Sequence, residues 1–440
     1  MSLAKAMDTN IDSHLSYLQY PRIALALSGG GFRAAIFHLG VLRRIAELGL
    51  LPQIDLVSTV SGGSILGAFM ALRWNDVKAA GCDWNSFNRY VVQPFVDLIT
   101  NNNFIGRWAI RLPLIPIRKL MDRTYTRTKL AAELFDREFY ENACCDKLPT
   151  QPYLILNATS LVSIRAWRFT RDGHGDSRVG HAAWEGRPLR LGDALGASAA
   201  FPPVFTPARI RMSDYNFSAP IYGEPKLPDY EFIALSDGGV YDNLGLEVLG
   251  KESILPGGVG KIGIPQFVVV SDAGYPAQYH FRSSGLPGLG EGLLLYRVDA
   301  IAREQAIALR RRELVKDFSD PVAKRKGLLV MLGSHIEKLP GTGANEYRAK
   351  VGSDFCIPPE LLERIRTIRT HLDQFSPVEC TALMYHAYTL TDAFLWYYRN
   401  GFPEPYRVSE SPNPQWRIEF TKSTTTQWAD GLRNSNPRRI

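Results

Sequence analysis

Apolar residues in the first part of the chain fall into short unbroken runs. Farther along they spread into wider helical stripes. Ile23–Leu27 is one such run, bounded by Pro21 and by Gly29, Gly30 and Gly31, which is the pattern of a strand buried on both faces. Over 34–48, Ile36, Leu39, Val41, Leu42, Ile45 and Leu48 recur at helical spacing. Residues 56–60 predict a second strand, and Ser61 falls where that strand must turn into a helix over 64–73. A serine at such a turn is held clear of the sheet, with helix N–H groups beside it. One turn therefore offers a hydroxyl, and the glycine turn offers unpaired amide donors. Together they make half of an acyl-transfer site.

From 74 to 152 no clear strand appears. Within that span, 103–130 interleaves Phe104, Ile105, Trp108, Ile110, Leu112, Leu114 and Ile115 with Arg107, Arg111, Arg118, Lys119, Arg123 and Arg127. A buried helical insertion is the plainer reading; a lid over the site and a basic, apolar patch facing lipid are the alternatives. Pro113 and Pro116 interrupt any long helix there. Strands resume at 153–156 and 165–170, whereas 172–190 reads as an exposed hairpin or loop. Residues 191–201 are helical until Pro202 and Pro203. The run 232–235 is a strand that delivers Ser236-Asp237-Gly238-Gly239, and 266–271 is the most strand-like run of all. Helical periodicity dominates 293–318, 361–372 and 380–398, with a late edge strand at 327–332. Beyond Gly401 the chain is polar with few aliphatic residues, the composition of a poorly ordered tail.

This alternation predicts an α/β fold with a mostly parallel central sheet sandwiched by helices and a largely helical C-terminal addition. The expected organisation is a lead-in over 1–20 and a core over 21–275 that includes an insertion or lid region at 74–152. A mainly helical part packed on the core follows over 276–402, then a polar tail over 403–440. In such sheets the ligand site lies at the carboxyl ends of the strands. Gly29, Ser61 and Asp237 all stand at or just past such ends.

Composition narrows the class. The 440 residues are 45% hydrophobic and 22% charged, the balance of an ordinary globular protein. No stretch approaches a membrane span, and the first residues carry no apolar signal core. Five cysteines, including adjacent Cys144 and Cys145, argue against a disulfide framework and for a reducing, cytoplasmic setting. They lack zinc-type spacing with any histidine. The formal charge of +7 suits nucleic acid or an anionic membrane surface, though so mild an excess is more often just a solvated surface. No nucleic-acid-binding module is recognisable, and no such partner is expected; protein partners are not indicated.

A serine hydroxyl needs a proton acceptor, and the tetrahedral oxyanion needs preplaced donors. The amides of Gly29, Gly30 and Gly31 can supply the donors. Asp237 is the best-placed acid, since poorly solvated surroundings can raise a carboxylate into the range of a base. Each feature alone has a plainer reading as a turn; their conjunction favours catalysis.

Ser28-Gly29-Gly30-Gly31-Phe32-Arg33-Ala34 resembles the glycine-rich oxyanion motif of patatin-like phospholipases, a family of lipid acyl hydrolases. Val60-Ser61-Gly62-Gly63-Ser64 is similar to the family's nucleophile turn, and Asp237-Gly238-Gly239 to its catalytic Asp-Gly pair. Ala197-Ser198-Ala199-Ala200-Phe201-Pro202 resembles a recurrent element between them. The resemblance spans about residues 20–275 and implies a Ser61–Asp237 dyad without histidine, metal or cofactor. It also implies an oxyanion hole at Gly29–Gly31, support from Arg33, Gly62, Gly63 and Gly238, and a lipid or phospholipid substrate. A phospholipase A or lysophospholipase activity, with peripheral contact at membranes, is the matching expectation. Thr59 departs from the pattern, because the motif has glycine there and a β-branched residue crowds the elbow. Arg33 is open between ordering the glycine turn, contacting an anionic head group and lying on a helix surface.

Rival readings exist. Gly29-Gly30-Gly31-Phe32-Arg33-Ala34 also fits a dinucleotide fingerprint, but Ser61 stands where an acid should hold the ribose, and Asp55 is at the wrong end of its strand. A Ser-His-Asp hydrolase would use Ser61, Asp237 and then His280 or His335. His38 reads as a packed core histidine. A non-catalytic binding protein is the third alternative.

Overall fold

The computed structural model describes residues 13–440 apart from 124, 222–227, 229, 251, 259, 275–288, 324, 403–405, 407–413, 434 and 436–440. The strands are β1 (Ile23–Leu27), β2 (Ile54–Val60), β3 (Tyr153–Ser160), β4 (Arg165–Phe169), β5 (Gly173–Asp176), β6 (Gly180–Ala183), β7 (Ala208–Arg211) and β8 (Phe232–Asp237). They continue with β9 (Ser253–Ile254), β10 (Lys261–Ile262), β11 (Phe267–Asp272) and β12 (Lys326–Met331). β9 and β10 pair with each other alone, and the other ten form one sheet. Its centre runs β12-β11-β1-β2-β3, every neighbour parallel. β4, β5 and β6 extend it antiparallel on one side. β8 also joins β3 antiparallel, pairing Asp237 with Ala158, and β7 joins β8. Asp237 therefore stands at the end of a strand that runs antiparallel to β3 and back toward the sheet's middle.

Strand periodicity explains the layers. Ile23, Leu25, Leu27, Val57, Phe267 and Val269 face one helical layer. Ala24, Ala26, Leu56, Val268 and Val270 face the other, against Leu244, Leu249 and Leu314. Among the helices that position the site, α1 (Gly31–Glu47) and α2 (Gly62–Leu72) follow β1 and β2 directly. α3 (Phe104–Arg111), α4 (Ile115–Met121) and α5 (Arg127–Phe139) lie in the long strandless span. α6 (Leu191–Ser198), α7 (Leu289–Ser319) and α8 (Pro377–Tyr398) complete the set.

Three expectations need correction. The segment 172–190 carries a hairpin whose strands are largely buried, with exposure confined to 185–187 and 190. His174 is fully buried, its ring stacked on Phe169 and Trp184 and packed by Trp167 and Tyr215. Flanking aromatic residues bury it despite its own polar composition. The polar tail contains a helix, Lys422–Gly431, capped by Thr421 and anchored by buried Trp428 against Tyr385 and Phe420. A few aromatic rings there do what aliphatic residues do elsewhere. The core reading of 103–130 holds for buried Phe104 and Trp108, while Ile110, Leu114, Ile117, Leu120 and Met121 face solvent.

The C-terminal part grips the first helix. α8 lies so close to α1 that a Cβ on Gly40 would stand 2.0 Å from the Met384 carbonyl oxygen. Beside that crossing, fully buried Arg44 donates from Nε to Asp392 Oδ1 at 2.8 Å and pairs with Glu47 at 3.2 Å. Tyr347 donates its hydroxyl to Asp392 Oδ2 at 2.8 Å. Removing one partner of a buried pair strands the other charge, which costs about 3–5 kcal/mol. Asp392→Ala is therefore expected to lose about that much unfolding free energy in denaturant titration. A loss under about 1 kcal/mol would show that the pair does not hold the helices together.

Candidate active site

The glycine turn after β1 and the serine turn after β2 are pressed against each other. The Gly63 amide donates to the Ser28 carbonyl at 3.1 Å. A Cβ on Gly62 would lie 2.2 Å from the Gly31 carbonyl oxygen, and one on Gly63 2.2 Å from that of Leu27. Only glycine permits that approach. Ser61 itself has φ 49° and ψ −114°, a strained conformation for a residue with a side chain. It stands at the N-cap position of α2, yet its side chain does not cap the helix. Its side chain lies near enough to the Asp237 carboxyl to favour the ionised form of that group.

Several contacts hold that strained turn. The Ser61 amide donates to Ser198 Oγ at 3.1 Å, and Ser198 Oγ donates to the Asn157 carbonyl at 2.6 Å. Asn157 Nδ2 donates to Ser58 Oγ at 2.9 Å and to the Thr59 carbonyl at 3.0 Å. Thr59 does not distort the elbow: its hydroxyl donates to the Ile155 carbonyl at 3.0 Å, and its methyl lies against Gly67. On the acid's side, the Gly239 amide donates to Asp237 Oδ1 at 2.7 Å, and Thr159 Oγ1 donates to the Asp237 carbonyl at 2.8 Å. Gly238 packs on the Asn157 carbonyl. Asn157 is thus the common post for both turns, and sequence reasoning missed it. Ser198 was visible only as part of its motif.

The glycines are not equivalent. The Gly29 amide donates to the Asn243 carbonyl at 3.1 Å, so it has an acceptor within the fold. The amides of Gly30 and Gly31 have none among the described residues, and neither does that of Gly62. The Asn243 carboxamide, also unpredicted, fills the space between Gly29 and Gly239. Arg33 is fully buried, which removes it from any helix surface. It donates to the Ala273 carbonyl at 2.8 Å and to the Ile368 carbonyl at 2.9 Å, tying the glycine turn to the loop after β11 and to the C-terminal part.

Among the described residues no histidine acts on the Asp237 carboxyl. Burial lowers His38 to about 4, so it stays neutral. Nε2 faces the Ser28 carbonyl at 3.0 Å and Nδ1 the Ser271 hydroxyl at 2.6 Å, so the ring braces the turn. His335 lies past β12, lining a cavity with Tyr347, Val351, Tyr385 and Trp416. His280 lies outside the described residues. Among the described residues no cluster of His, Cys, Asp or Glu could hold a metal ion.

Burial raises Asp237 from its ordinary value to about 6. The Gly239 amide, the Ser61 side chain and the Arg303 guanidinium pull it back part of the way. Arg303 comes from α7 and lies over the Phe201 ring at 5.0 Å. A half-buried serine beside a buried carboxyl, with free amides alongside, has the parts for attack on a carbonyl.

A family model described as "Patatin-like phospholipase" matches residues 25–249, just over half of the chain. The chain belongs to the patatin-like phospholipase family. Its β2, β3 and β8, the last three residues of β1 and all three motif turns fall within that match. A curated relative, the patatin-like phospholipase domain-containing protein NCU11180 of Neurospora crassa, is 42% identical over 57 residues, which is 13% of this chain and 6% of that protein. The chain thus matches only a small part of that relative's length. Among solved structures, human GIVD cytosolic phospholipase A2 is similar with a TM-score of 0.48 at 12% identity, over 85% of this chain and 59% of that one. VipD from Legionella pneumophila is similar with a TM-score of 0.32 at 11% identity, over 94% and 74% of the two chains.

The raised pKa also has a consequence for stability. The folded state holds the Asp237 proton more tightly than the unfolded chain does. Its contribution is therefore complete below about 4, where the unfolded carboxyl titrates, and is lost as pH rises through about 6. Asp237→Asn removes the buried charge, so its melting temperature is expected to exceed that of the wild type at pH 8 and to match it near pH 4. Equal or lower stability at pH 8 would contradict burial as the cause.

Proposed function

We propose that this chain is a serine acyl hydrolase of lipids, cleaving carboxylic esters of phospholipids or related acyl lipids through Ser61 and Asp237. Asp237 accepts the Ser61 Oγ proton as the oxygen attacks the ester carbonyl carbon. The amides of Gly30 and Gly31 stabilise the resulting oxyanion, with that of Gly62 beside them. Collapse of the tetrahedral species breaks the bond to the leaving alcohol, which takes the proton from Asp237, and leaves an acyl-enzyme. Water then attacks the acyl carbon with Asp237 again accepting the proton; collapse breaks the bond to Ser61 Oγ, which takes that proton back from Asp237 as the fatty acid departs. Gly29 is left out of the oxyanion hole because its amide already has an acceptor. In this reading residues 21–275 are the catalytic core, 74–152 its insertion and 276–402 a part packed on it. Work at a lipid surface belongs to the same proposal.

The observation that carries it is the pairing of a strained, half-buried serine with a buried carboxyl raised to about 6. Among the described residues the groups acting on the Asp237 carboxyl are Gly239, Ser61 and Arg303, which supports a dyad over a Ser-His-Asp relay.

A fluorophosphonate probe is expected to label the wild-type chain, while Ser61→Ala stays unlabelled and loses at least about a thousandfold in kcat/KM. Equal labelling of the variant would remove the nucleophile.

A base must be ionised to act. The kcat/KM for an ester is therefore expected to fall about tenfold per pH unit below about 6 and to level off above it. A profile flat from pH 4 to 8 would contradict Asp237 as the base.

A further inference from the structure

The helices α3 and α4 leave apolar side chains in solvent that the fold itself does not cover. Ile110 is 81% exposed, Leu114 42%, Ile117 60%, Leu120 86% and Met121 91%. Ile117, Leu120 and Met121 stand at i, i+3 and i+4 on α4 and form one stripe, with Leu114 and Ile110 just before it. Five such residues in a row of twelve exceed the scattered apolar exposure of an ordinary surface. Between 103 and 127 the chain carries Arg107, Arg111, Arg118, Lys119, Arg123 and Arg127 against Asp122 alone. Arg107 pairs with Glu138, and Arg118 with Glu133. Arg111, Lys119 and Arg123 have no acidic partner among the described residues.

The base of this arm is firmly seated. Phe104 stacks on Phe135 at 4.1 Å, and Trp108 Nε1 donates to the Arg127 carbonyl at 3.0 Å. The Trp108 ring meets Phe205 at 5.2 Å, and Arg127 donates to the Pro203 carbonyl at 3.4 Å. Phe205 belongs to the strap 200–206, whose Ala200 carbonyl accepts from the Asp237 amide at 3.1 Å. The exposed stripe is therefore continuous with the side of the candidate site that carries the acid.

We infer that α3 and α4 form a docking element for the anionic face of a lipid bilayer. Ile117, Leu120 and Met121 enter the acyl boundary while Arg111, Lys119 and Arg123 meet lipid phosphates. Apolar residues flanked by uncompensated cations suit a charged lipid surface, which takes both in one plane. A protein face would have to bury those cations against matching acids. The inference rests on the acyl-hydrolase reading only in taking lipid as what the site acts upon.

The test uses the full chain and vesicles of phosphatidylcholine, alone or mixed with phosphatidylserine, in a flotation assay. The wild type is expected to bind the mixed vesicles at least about tenfold more tightly than the neutral ones, with the preference falling as salt rises. Leu120→Glu combined with Met121→Glu should lose about tenfold in binding to the mixed vesicles. Because both side chains are exposed, its melting temperature should stay that of the wild type. Turnover of vesicle-borne phospholipid should fall with binding, while hydrolysis of a soluble short-chain ester stays within about twofold. Vesicle binding unchanged by the double substitution would overturn the inference. So would a wild-type dimer in sedimentation velocity that the substitution dissolves, because the stripe would then be an interface between copies. If the wild type cleaves neither vesicle-borne nor soluble ester, the hydrolase reading fails and the flotation result still decides the docking element.

Discussion

Everything at this site depends on two turns of backbone lying in direct contact. The Gly63 amide bonds to the Ser28 carbonyl, and no side chain can be accommodated at 62 or 63. That contact brings the start of α2 against the start of α1, so the hydroxyl of one turn and the free amides of the other share a rim. The parallel pairing of β1 with β2 sets the two strand ends at one level. Register and close approach together make the constellation, and neither suffices alone.

The second requirement is a carboxyl kept from water. Asp237 reaches the rim on a strand antiparallel to β3, where Thr159 and Gly239 hold its backbone and side chain. Burial makes its charge costly, and the same cost raises its proton affinity into a useful range. The fold gives up stability at neutral pH to hold this group, a trade common at reactive sites. Ser61 adds its own backbone strain, and Ser198 and Asn157 bear it.

Much of this was legible in the chain. Buried strands announce themselves as unbroken apolar runs, and Gly29–Gly31, Ser61 and Asp237 follow such runs directly. Residues whose work is done through long-range contacts were not legible. Arg33 looks like any helix arginine until Ala273 and Ile368 are brought to it across the fold. Asn157 sits inside an apolar strand and shows its role only once β2 and β8 flank it. The unequal standing of Gly29 follows from Asn243, more than two hundred residues away. Polar composition misled at 172–190 and in the tail, because a few aromatic rings buried segments that aliphatic counts treat as solvent-facing.

The central claim is that the Ser61 oxygen and the Gly30 and Gly31 amides surround one reacting atom. The most direct measurement is a crystal structure of the chain after reaction with an alkyl fluorophosphonate. The account predicts phosphorus bonded to Ser61 Oγ, with the phosphoryl oxygen within hydrogen-bond distance of the Gly30 and Gly31 amides. Phosphorus on another residue, or a phosphoryl oxygen turned away from the glycine turn, would contradict it.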